Sequence, residues 1–372
     1  MADPTDARSR RLLLHVFSSF GMGGAQVRFA AIVNRLGRRY RHRVLAMDGV
    51  YDCGELLDDD IDVEIAEVGV GSGSVLTHAW AFRRALKAVR PAVLVTYNWG
   101  AIEWALANIV TVCPHLHIED GFGPDEAVRQ FRRRVLFRRL VLSRCSKVVL
   151  PSQTLHEIAA TVWRIDRRRL AYIPNGIDLE RFAVAPDPAF VASLGLAPGE
   201  PVVGTVAALR REKNLGRLLR AFVRVNAAQP ARLVIVGDGP ERAALEAEAA
   251  RYGIARRVVF TGRIPDPERL YGAFDVFALS SDTEQMPLSV LEAMAAGLPV
   301  AAVDVGDVRA MVSAENRPLI VPRDERQLGE AIIKLIRYPG RRISIGHANR
   351  MRASRDFGQA RMVSAYDRLF SM

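Results

Sequence analysis

Short apolar runs alternate with amphipathic stretches along the first half of the chain. The apolar runs include "RLLLHVFSSF", "HRVLAMDG" and "AVLVTYN", and helical patterns such as "AQVRFAAIVNRLG" lie between them. Runs without strict apolar–polar alternation are typical of parallel strands that are covered by helices on both faces of the sheet. The first half therefore predicts an α/β domain with a parallel sheet.

The same alternation restarts after residue 200. "PVVGTVAAL" precedes the helical pattern "NLGRLLRAFVRVNAA", and the later apolar runs "ARLVIVGDG" and "DVFALSS" are again followed by helical patterns. The chain therefore predicts the α/β class, with two Rossmann-like doubly wound domains that face each other across a cleft. Ligands of such sheets bind at the carboxyl ends of the strands, so we expect the function there.

The domain boundaries follow from composition. Residues 173–198 begin with a stretch rich in Pro, Gly and Asp and are predicted to be an interdomain linker. Residues 1–172 then form the first domain, and residues 199–350 form the second. Residues 351–372 are predicted to form a terminal helix that could cross back to the first domain.

One stretch carries candidate chemistry, namely "SSDTEQMPLSVLEAMAAGLPV" at residues 280–300. It places Glu284 and Glu292 eight positions apart, one before and one within an apolar helix. Pro287 suits the first position of that helix, whose unpaired N–H groups form an anion site. Both carboxylates could accept hydrogen bonds from hydroxyls that flank the anion, as in ribose and sugars. The alternative is one surface glutamate and one glutamate that favours the helix dipole.

Two further loops suit phosphate chemistry. Gly23 and Gly24 stand between a strand and a helix, so the backbone can approach a diphosphate there, although a plain tight turn would look the same. The loop lacks G-x-G-x-x-G, which disfavours a dinucleotide-dependent dehydrogenase. Lys213 follows a strand in a loop where its ammonium could offset charge on a departing diphosphate, or could simply face solvent.

Taken together and in order, six segments resemble the retaining GT-B glycosyltransferases of family 4, the group 1 type. The resemblance spans nearly the whole chain. The segments are "FGMGGAQ", "IPNGIDLERF", "LRREKN", "VGDGPE", "VVFTGRI" and "EQMPLSVLEAMAAGLPV".

The resemblance implies roles for the matching residues. Glu292 would bind the nucleotide ribose, and Glu284 would bind the donor sugar. Arg263 and Ile264 would contact the base, largely through the backbone. The diphosphate would be held by the remaining donor-side residues, which are Gly23, Gly24, Lys213, Leu288 and Ser289. The resemblance implies a nucleotide-diphosphate sugar as co-substrate and no cofactor.

The sequence also departs from the family pattern. Ala208 stands where the family usually has an arginine, and Arg210 or Arg211 could supply that charge from another direction. Asp120 is the closest match to the usual acceptor-side histidine, and His117 lies three positions earlier on the strand. Asp120 could bind a sugar hydroxyl or act as a base on the acceptor, and an ordinary turn residue is the alternative.

Charge and cysteine content limit the partners and the compartment. The formal charge of +11 is spread evenly along the chain, which disfavours a nucleic-acid protein. Residues 128–147 carry eight Arg or Lys residues and no acidic residue. They could form a partly buried helix with a basic outer edge, or a weak contact with anionic lipid. Three cysteines without metal-ligand spacing suit the cytoplasm, with peripheral association at the inner membrane face as the sharper hypothesis.

A pair of Asp-x-Asp motifs at residues 58–62 raises the question of a metal ion. The motifs lie in a polar turn far upstream of the glutamate segment. We therefore interpret them as a solvated loop and predict no metal site.

These observations predict a retaining, metal-independent hexosyltransferase with Glu284, Lys213 and Asp120 as catalytic candidates. It would transfer a hexose-type sugar to a glycan or lipid-linked acceptor in cell-envelope or exopolysaccharide synthesis. The alternatives are a nucleotide-sugar epimerase or phosphorylase on the same fold, and a non-catalytic nucleotide-sugar-binding partner subunit.

Overall fold

The computed structural model describes residues 10–66, 74–122, 124–126, 129–183, 185–197, 199–264 and 266–372. The chain divides into two compact units. The first unit contains Met1–Asn175 together with Ala360–Met372, and the second contains Gly176–Gln359.

The first unit is built on a seven-stranded sheet. Its strands are β1 (Leu12–Phe17), β2 (Arg41–Ala46), β3 (Val63–Ile65), β4 (Val93–Tyr97), β5 (His115–Ile118), β6 (Lys147–Leu150) and β7 (Leu170–Tyr172). All neighbouring strands pair in parallel, in the order β3-β2-β1-β4-β5-β6-β7. The central strand β4 is buried along its whole length, as expected for a strand covered by helices on both faces.

The helices of the first unit follow the predicted alternation. They are α1 (Gly24–Leu36), α2 (Val75–Val89), α3 (Ile102–Ala107), α4 (Arg132–Leu142), α5 (Gln153–Thr161) and the C-terminal helix, which we label α14 (Gln359–Phe370). Helix α1 shows the pattern clearly, because Phe29, Ile32 and Val33 recur at helical spacing and are buried.

The second unit repeats the architecture with six strands. These are β8 (Val202–Val206), β9 (Arg232–Val236), β10 (Val258–Gly262), β11 (Val276–Leu279), β12 (Val300–Val303) and β13 (Ile320–Val321). They pair in parallel in the order β10-β9-β8-β11-β12-β13. One continuous hydrophobic core surrounds this sheet.

Eight helices are described in the second unit. They are α6 (Pro188–Ser193), α7 (Leu215–Ala228), α8 (Arg242–Arg251), α9 (Glu268–Tyr271), α10 (Leu288–Ala295), α11 (Val308–Met311), α12 (Glu325–Arg337) and α13 (Pro339–Asp356). Within the described residues, no helix combines the length and the apolar character needed to cross a bilayer.

Each sheet has a switch point, where the strand order reverses direction. In the first unit it lies between β1 and β4, and in the second unit it lies between β8 and β11. Ligands of doubly wound folds bind beyond the carboxyl ends of the strands at such points. The loops after β1, β4, β8 and β11 are therefore the first places to look for a site.

Two helix boundaries differ from the sequence prediction. Pro287 caps α10 from an extended conformation, so the helix begins one residue later, at Leu288. The predicted terminal helix is two helices, because α13 ends at Asp356 and α14 begins at Gln359. The intervening Phe357 is buried in the second unit, and Gly358 pairs with Ile177 in an isolated bridge.

The stretch predicted to be a linker takes part in the second unit from Gly176 onward. Phe182 and Leu196 are buried in the core of that unit, and helix α6 lies between them. The Pro-, Gly- and Asp-rich composition therefore marks irregular structure in this region, but the residues pack against the second unit.

Helix α4 shows an unusual distribution of side chains. Arg138 is fully buried, whereas Leu136 and Leu140 are 65% and 57% exposed. The burial of a charged side chain is tolerated when it is paired. Here Arg138 forms an ion pair with Glu126 at 2.9 Å. Both sequence hypotheses for this segment assumed a basic outer surface, and neither anticipated the buried arginine.

Candidate functional site

The loops at the switch point of the second unit bring Lys213 and Glu284 into direct contact. Lys213 ends a single 3₁₀ turn after β8, and Glu284 lies in the loop after β11. The ammonium Nζ of Lys213 donates to Oε1 of Glu284 at 2.6 Å, and Ser281 Oγ donates to the same oxygen at 2.8 Å. The two side chains are 24% and 10% exposed, so the pair is partly screened from water but accessible.

Side-chain hydrogen bonds also tie the two loops together. Ser280 Oγ donates to the carbonyl oxygen of Lys213 at 3.1 Å, and Asn214 Nδ2 donates to Asp282 Oδ2 at 2.9 Å. Arg217, which is buried, donates to the carbonyl oxygen of Ser280 at 2.7 Å. These bonds fix the separation of the loops, so the Lys213–Glu284 pair is held by a preorganised frame.

A glycine permits a third loop to support Glu284. Gly306 follows β12 with φ of +53°, a conformation that favours glycine. A Cβ atom at this position would lie 2.5 Å from the carbonyl oxygen of Glu284 and 2.6 Å from that of Gln285. Asp307 N donates to the same Gln285 oxygen at 2.8 Å. The close approach therefore depends on the absence of a side chain at Gly306.

Glu292 lies in the second turn of α10, downstream of Glu284. Its Oε2 accepts a hydrogen bond of 2.6 Å from the phenol of Tyr271, which lies in α9. Burial raises the pKa of Glu292, and the hydrogen bond from Tyr271 opposes that shift. Burial and the neighbouring Glu292 carboxylate raise the pKa of Tyr271 well above its ordinary value, so the phenol remains a donor.

The N-terminus of α10 supplies backbone donors between the two glutamates. Leu288 and Ser289 are the first helical residues, and both are partly exposed. The first N–H groups of a helix lack partners within the helix and favour anions. The predicted donor residues Lys213, Glu284, Leu288, Ser289 and Glu292 therefore lie on adjacent loops and one short helix.

Two other predicted donor residues lie further along the sheet. Arg263 and Ile264 follow β10, which is separated from β11 by β9 and β8. Arg263 is exposed, and Ile264 packs partly against the core. Ala208 is exposed at the start of the turn that carries Lys213, and Arg210 and Arg211 in that turn are exposed as well.

In the first unit, the glycine loop follows β1 at the switch point. Gly23 caps α1 in an extended conformation, and Gly24 is the first helical residue. The carbonyl oxygen of Gly23 accepts the first helical hydrogen bond, from Val27 N at 2.9 Å. The predicted approach of backbone N–H groups at the start of a helix is therefore available at this loop.

Asp120 follows β5 and is held by an arginine that sequence reasoning missed. Arg28 on α1 donates from Nη2 to Asp120 Oδ2 at 2.8 Å, and its Nη1 donates to Oδ1. Nη1 also donates to Asn175 Oδ1 at 2.9 Å. Burial lowers the pKa of the guanidinium, but the ion pair with Asp120 outweighs it and raises that pKa. A bidentate pair of this kind fixes both the position and the orientation of the carboxylate.

The structure does not bring His117 to the surface with Asp120. His117 is fully buried in β5, where its Nδ1 lies 2.8 Å from Thr96 Oγ1. Its Nε2 lies 3.6 Å from the buried carboxylate of Glu119. In this structure His117 cannot touch an acceptor, because alternate residues of a strand point to opposite faces and its own face is covered.

Sequence reasoning did not identify Arg28, Asn175 or Tyr271, and the local sequence pattern around each of them is different. Asn175 stands in the Asn-Gly pair of "IPNGID", which indicates a turn but not a partner for Arg28. Arg28 is a charge next to the buried apolar face of α1, and such a residue demands a partner. Tyr271 carries no pattern that would connect it to Glu292.

Two family models match the chain in succession. The model described as "Glycosyltransferase Family 4" matches residues 22–181, and the model described as "Glycosyl transferases group 1" matches residues 187–352. Together they cover both units of the structure.

Several relatives are named as glycosyltransferases. The 2-deoxystreptamine glucosyltransferase of Streptomyces kanamyceticus is 31% identical over 309 residues, which are 76% of this chain and 79% of the relative. The 2-deoxystreptamine N-acetyl-D-glucosaminyltransferase of Streptomyces fradiae is 31% identical over 220 residues, or 56% of this chain and 52% of the relative. The D-inositol 3-phosphate glycosyltransferase of Nocardia farcinica is 31% identical over 226 residues, or 58% and 49%. The chain thus spans about half the length of these last two relatives.

Solved structures share the fold. HepE of Anabaena, in complex with UDP and glucose, has a TM-score of 0.81 and 21% identity, and the match covers 97% of this chain and 99% of that chain. Sucrose-phosphate synthase of Thermosynechococcus elongatus has a TM-score of 0.79 and 21% identity, with 97% and 98% coverage. The predicted fold class and family are confirmed, and the chain belongs to the group 1, family 4 glycosyltransferases with the GT-B fold.

Proposed function

We propose that this glycosyltransferase is a retaining, metal-independent enzyme that moves a hexose-type sugar from a nucleotide-diphosphate sugar to a glycan or lipid-linked acceptor. The reaction would serve cell-envelope or exopolysaccharide synthesis. The observation that carries the proposal is the Lys213–Glu284 ion pair at the switch point of the second unit. The loop that carries Glu284 leads into helix α10, which supplies the N–H groups of its first turn and Glu292.

The donor would bind to the second unit through its charged and polar parts. The diphosphate would be held by Lys213 and by the N–H groups of Leu288 and Ser289, because these are the cationic and dipolar groups at the switch point. Glu292 would accept hydrogen bonds from the ribose hydroxyls while Tyr271 keeps its carboxylate in place. Arg263 and Ile264 would contact the base.

Glu284 would accept hydrogen bonds from hydroxyls of the donor sugar. In the structure its Oε1 receives bonds from both Lys213 and Ser281. A bound diphosphate would compete for the Lys213 ammonium, and sugar hydroxyls would then replace it as donors to Glu284. This exchange couples donor binding to the breaking of one ion pair.

Charge on the leaving diphosphate would be neutralised by protein groups rather than by a metal ion. Lys213 and the α10 N-terminus supply positive potential where the negative charge develops. The only Asp-x-Asp motifs lie in the first unit, where Asp58 accepts from Asn34 at 3.1 Å and Asp62 pairs with Arg10 at 3.2 Å. These carboxylates already have protein partners.

A retaining outcome would follow from transfer on one face of the sugar. Asp120 is bound by Arg28 through both of its oxygens, so it is poorly suited to swing onto the anomeric carbon as a nucleophile. The acceptor proton would pass to a phosphate oxygen of the leaving group on the same face. Asp120 would accept a hydrogen bond from an acceptor hydroxyl and orient it.

The relatives' names support the sugar class at a coarse level. They describe transfer of glucosyl and N-acetyl-D-glucosaminyl groups, and HepE was solved with UDP and glucose. The names that specify a sugar support a hexose-type donor for the proposed reaction.

We also propose weak peripheral association with an anionic membrane. The exposed Leu136 and Leu140 of α4 lie among exposed arginines, and Leu76 and Trp80 of α2 are 74% and 69% exposed. Exposed apolar side chains rimmed by basic ones are typical of surfaces that bind anionic lipid. A lipid-linked acceptor would be concentrated at such a surface.

A thermal-shift screen with UDP, GDP, ADP and their sugars tests donor binding. A ligand that binds the folded chain raises its melting temperature in proportion to ln(1 + [L]/Kd). We expect one nucleotide series to stabilise the protein and the other two to have little effect. The alternative of a nucleotide-sugar epimerase predicts isomerised free donor, and a non-catalytic partner subunit predicts binding without turnover.

A further inference from the structure

A cavity of about 460 Å³ lies in the first unit among α2, α3 and α4. The rings of Trp99 and Phe137 line it, with centroids 5.8 Å apart and planes at 69°. Glu103, Arg133 and Arg134 line it as well. Small-molecule sites occupy roughly 300–1,000 Å³ and combine apolar walls with a few polar groups. This cavity has both properties.

The aromatic wall is rigidly supported from inside the fold. The Arg138 guanidinium lies 4.7 Å from the Trp99 ring centroid and also contacts the rings of Phe122 and Trp163. Arg138 is fully buried and pairs with Glu126 at 2.9 Å. Cation–π contacts in a desolvated site are strong, so Trp99 is held in one orientation. The Arg134 guanidinium also lies 5.0 Å from the Trp99 centroid, so a sugar ring would contact the parts of the Trp99 and Phe137 rings that line the cavity.

The charged side chains that line the cavity indicate which polar groups a bound molecule must carry. Among the described residues, no carboxylate lies within ion-pair distance of Arg133, whereas Arg134 already pairs with Asp125 at 2.6 Å. A guanidinium binds phosphate or carboxylate through two parallel hydrogen bonds. Glu103, whose Oε2 accepts a hydrogen bond from His78 Nδ1 at 3.0 Å, repels an anion and favours hydroxyls. An anionic group of a bound molecule would therefore lie near Arg133.

The cavity is joined to the Asp120 loop by one residue. Asn98 precedes Trp99 with φ of +57°, and its Oδ1 accepts a hydrogen bond of 2.6 Å from Asp120 N. The wall of the cavity and the predicted acceptor-side carboxylate are thus parts of one frame within the first unit.

We propose that this cavity is an acceptor subsite for a sugar unit that carries a phosphate or a carboxylate. The proposal rests on the proposed glycosyl transfer and names the chemistry of its acceptor. Trp99 and Phe137 would contact the ring, Arg133 would bind the anionic group, and Glu103 would accept from a hydroxyl.

Ligand-observed NMR titration of the full chain tests the subsite. The probes are glucose 6-phosphate, glucuronate, glucose and inorganic phosphate. We expect saturable binding of at least one charged sugar, at least about tenfold tighter than glucose or phosphate, because a charge-assisted hydrogen bond contributes that much. If neither charged sugar binds at least about tenfold more tightly than glucose and inorganic phosphate, the proposal is overturned.

Two variants and one control variant locate the binding. Arg133→Ala should reduce the affinity for the charged sugar to that for glucose, whereas the adjacent exposed Arg132→Ala should leave it unchanged. Phe137→Ala should weaken glucose and the charged sugar alike. If Arg133→Ala binds the charged sugar as tightly as wild type, the cavity is not the site.

The same samples are titrated with the nucleotide that stabilises the wild-type chain. Arg133→Ala should bind it normally, because Arg133 belongs to the first unit. Nucleotide binding without charged-sugar binding would refute only the subsite. Absence of nucleotide binding would refute the proposed function, whatever the sugars do.

Discussion

Lys213 and Glu284 form an ion pair of 2.6 Å although they are 71 residues apart in the chain. They follow β8 and β11, which are neighbours in the sheet because the strand order reverses between them. The pair places a cation and a hydroxyl acceptor at the position where doubly wound folds bind ligands. A leaving diphosphate would replace Glu284 as the partner of the ammonium.

Replacing Lys213 should therefore affect turnover more than donor binding. Negative charge develops on the diphosphate in the transition state, and Lys213 is the cation that we propose to offset it. We expect Lys213→Ala to lower kcat by about 100-fold or more, the range seen for loss of one electrostatic contact. Steady-state kinetics measures this, with Lys334→Ala, an exposed lysine on α12, as control. A kcat within about twofold of wild type would assign the phosphate to another group.

Glu292 should bind ribose only while it is ionised. Because burial raises its pKa, the ionised fraction should fall at a higher pH than for an exposed glutamate. At neutral pH, Glu292→Ala should weaken nucleotide binding by about 10- to 150-fold, which corresponds to roughly 1.5–3 kcal/mol.

Calorimetric titrations with the nucleotide at neutral and mildly acidic pH separate the loss of the Glu292 carboxylate from its protonation. Wild-type affinity should decrease as the pH falls toward the raised pKa of Glu292. Glu292→Gln should start from a lower affinity and should lack this decrease. A wild-type affinity that is independent of pH, or a Gln variant with the wild-type pH profile, would contradict the assignment.

Gly306 should be intolerant of a side chain. Gly306→Ala adds a Cβ that would lie 2.5 Å from the carbonyl oxygen of Glu284, at a φ of +53°. We expect the free energy of unfolding to fall by about 1–3 kcal/mol. The matched control is Gly340→Ala in the first turn of α13, where a Cβ has nothing within 4 Å. Urea denaturation followed by circular dichroism compares them, and equal stability of the two variants would show that the loop is not constrained.

The architecture could be predicted from the sequence because its signals are local, and the same holds for the loop and helix that carry the predicted donor residues. Apolar periodicity predicted the strands and most helices, and the spacing of Glu284, Pro287 and Gly297 predicted a loop followed by a short helix. The predicted helix boundaries were less accurate than the predicted order of the elements. The break between α13 and α14 coincides with Gly358, and glycine is a common residue at helix ends.

Side-chain partnerships could not be predicted in the same way. Arg28 and Asp120 are 92 residues apart, and only the packing of α1 against the end of β5 brings them together. The burial of Arg138 could not be predicted from the sequence pattern either. Its place in a helix with exposed leucines contradicts the usual hydrophobic pattern, and its burial depends on Glu126 and on aromatic rings from other elements.

The exposed leucines of α4 should make membrane binding sensitive to charge and to salt. Each Arg or Lys near an anionic surface adds about 1 kcal/mol, which is screened as salt rises. We expect co-sedimentation with anionic vesicles at low salt, little at high salt and little with neutral vesicles. Leu136→Glu should reduce it, whereas Ile343→Glu on α13, equally exposed in the second unit, should not. Equal, negligible binding to both kinds of vesicle would leave an enzyme without this membrane contact.

In the proposed reaction, the second unit activates a nucleotide-diphosphate sugar through Lys213, Glu284 and Glu292. The most direct test is release of nucleotide diphosphate from UDP-, GDP- and ADP-sugars, measured in EDTA with and without glycan or lipid-linked acceptors. We expect release from one donor series that continues in EDTA, is accelerated by an acceptor and is lost in Lys213→Ala. No release from any donor under these conditions, or release that requires added Mg²⁺ or Mn²⁺, would refute the proposed metal-independent transfer.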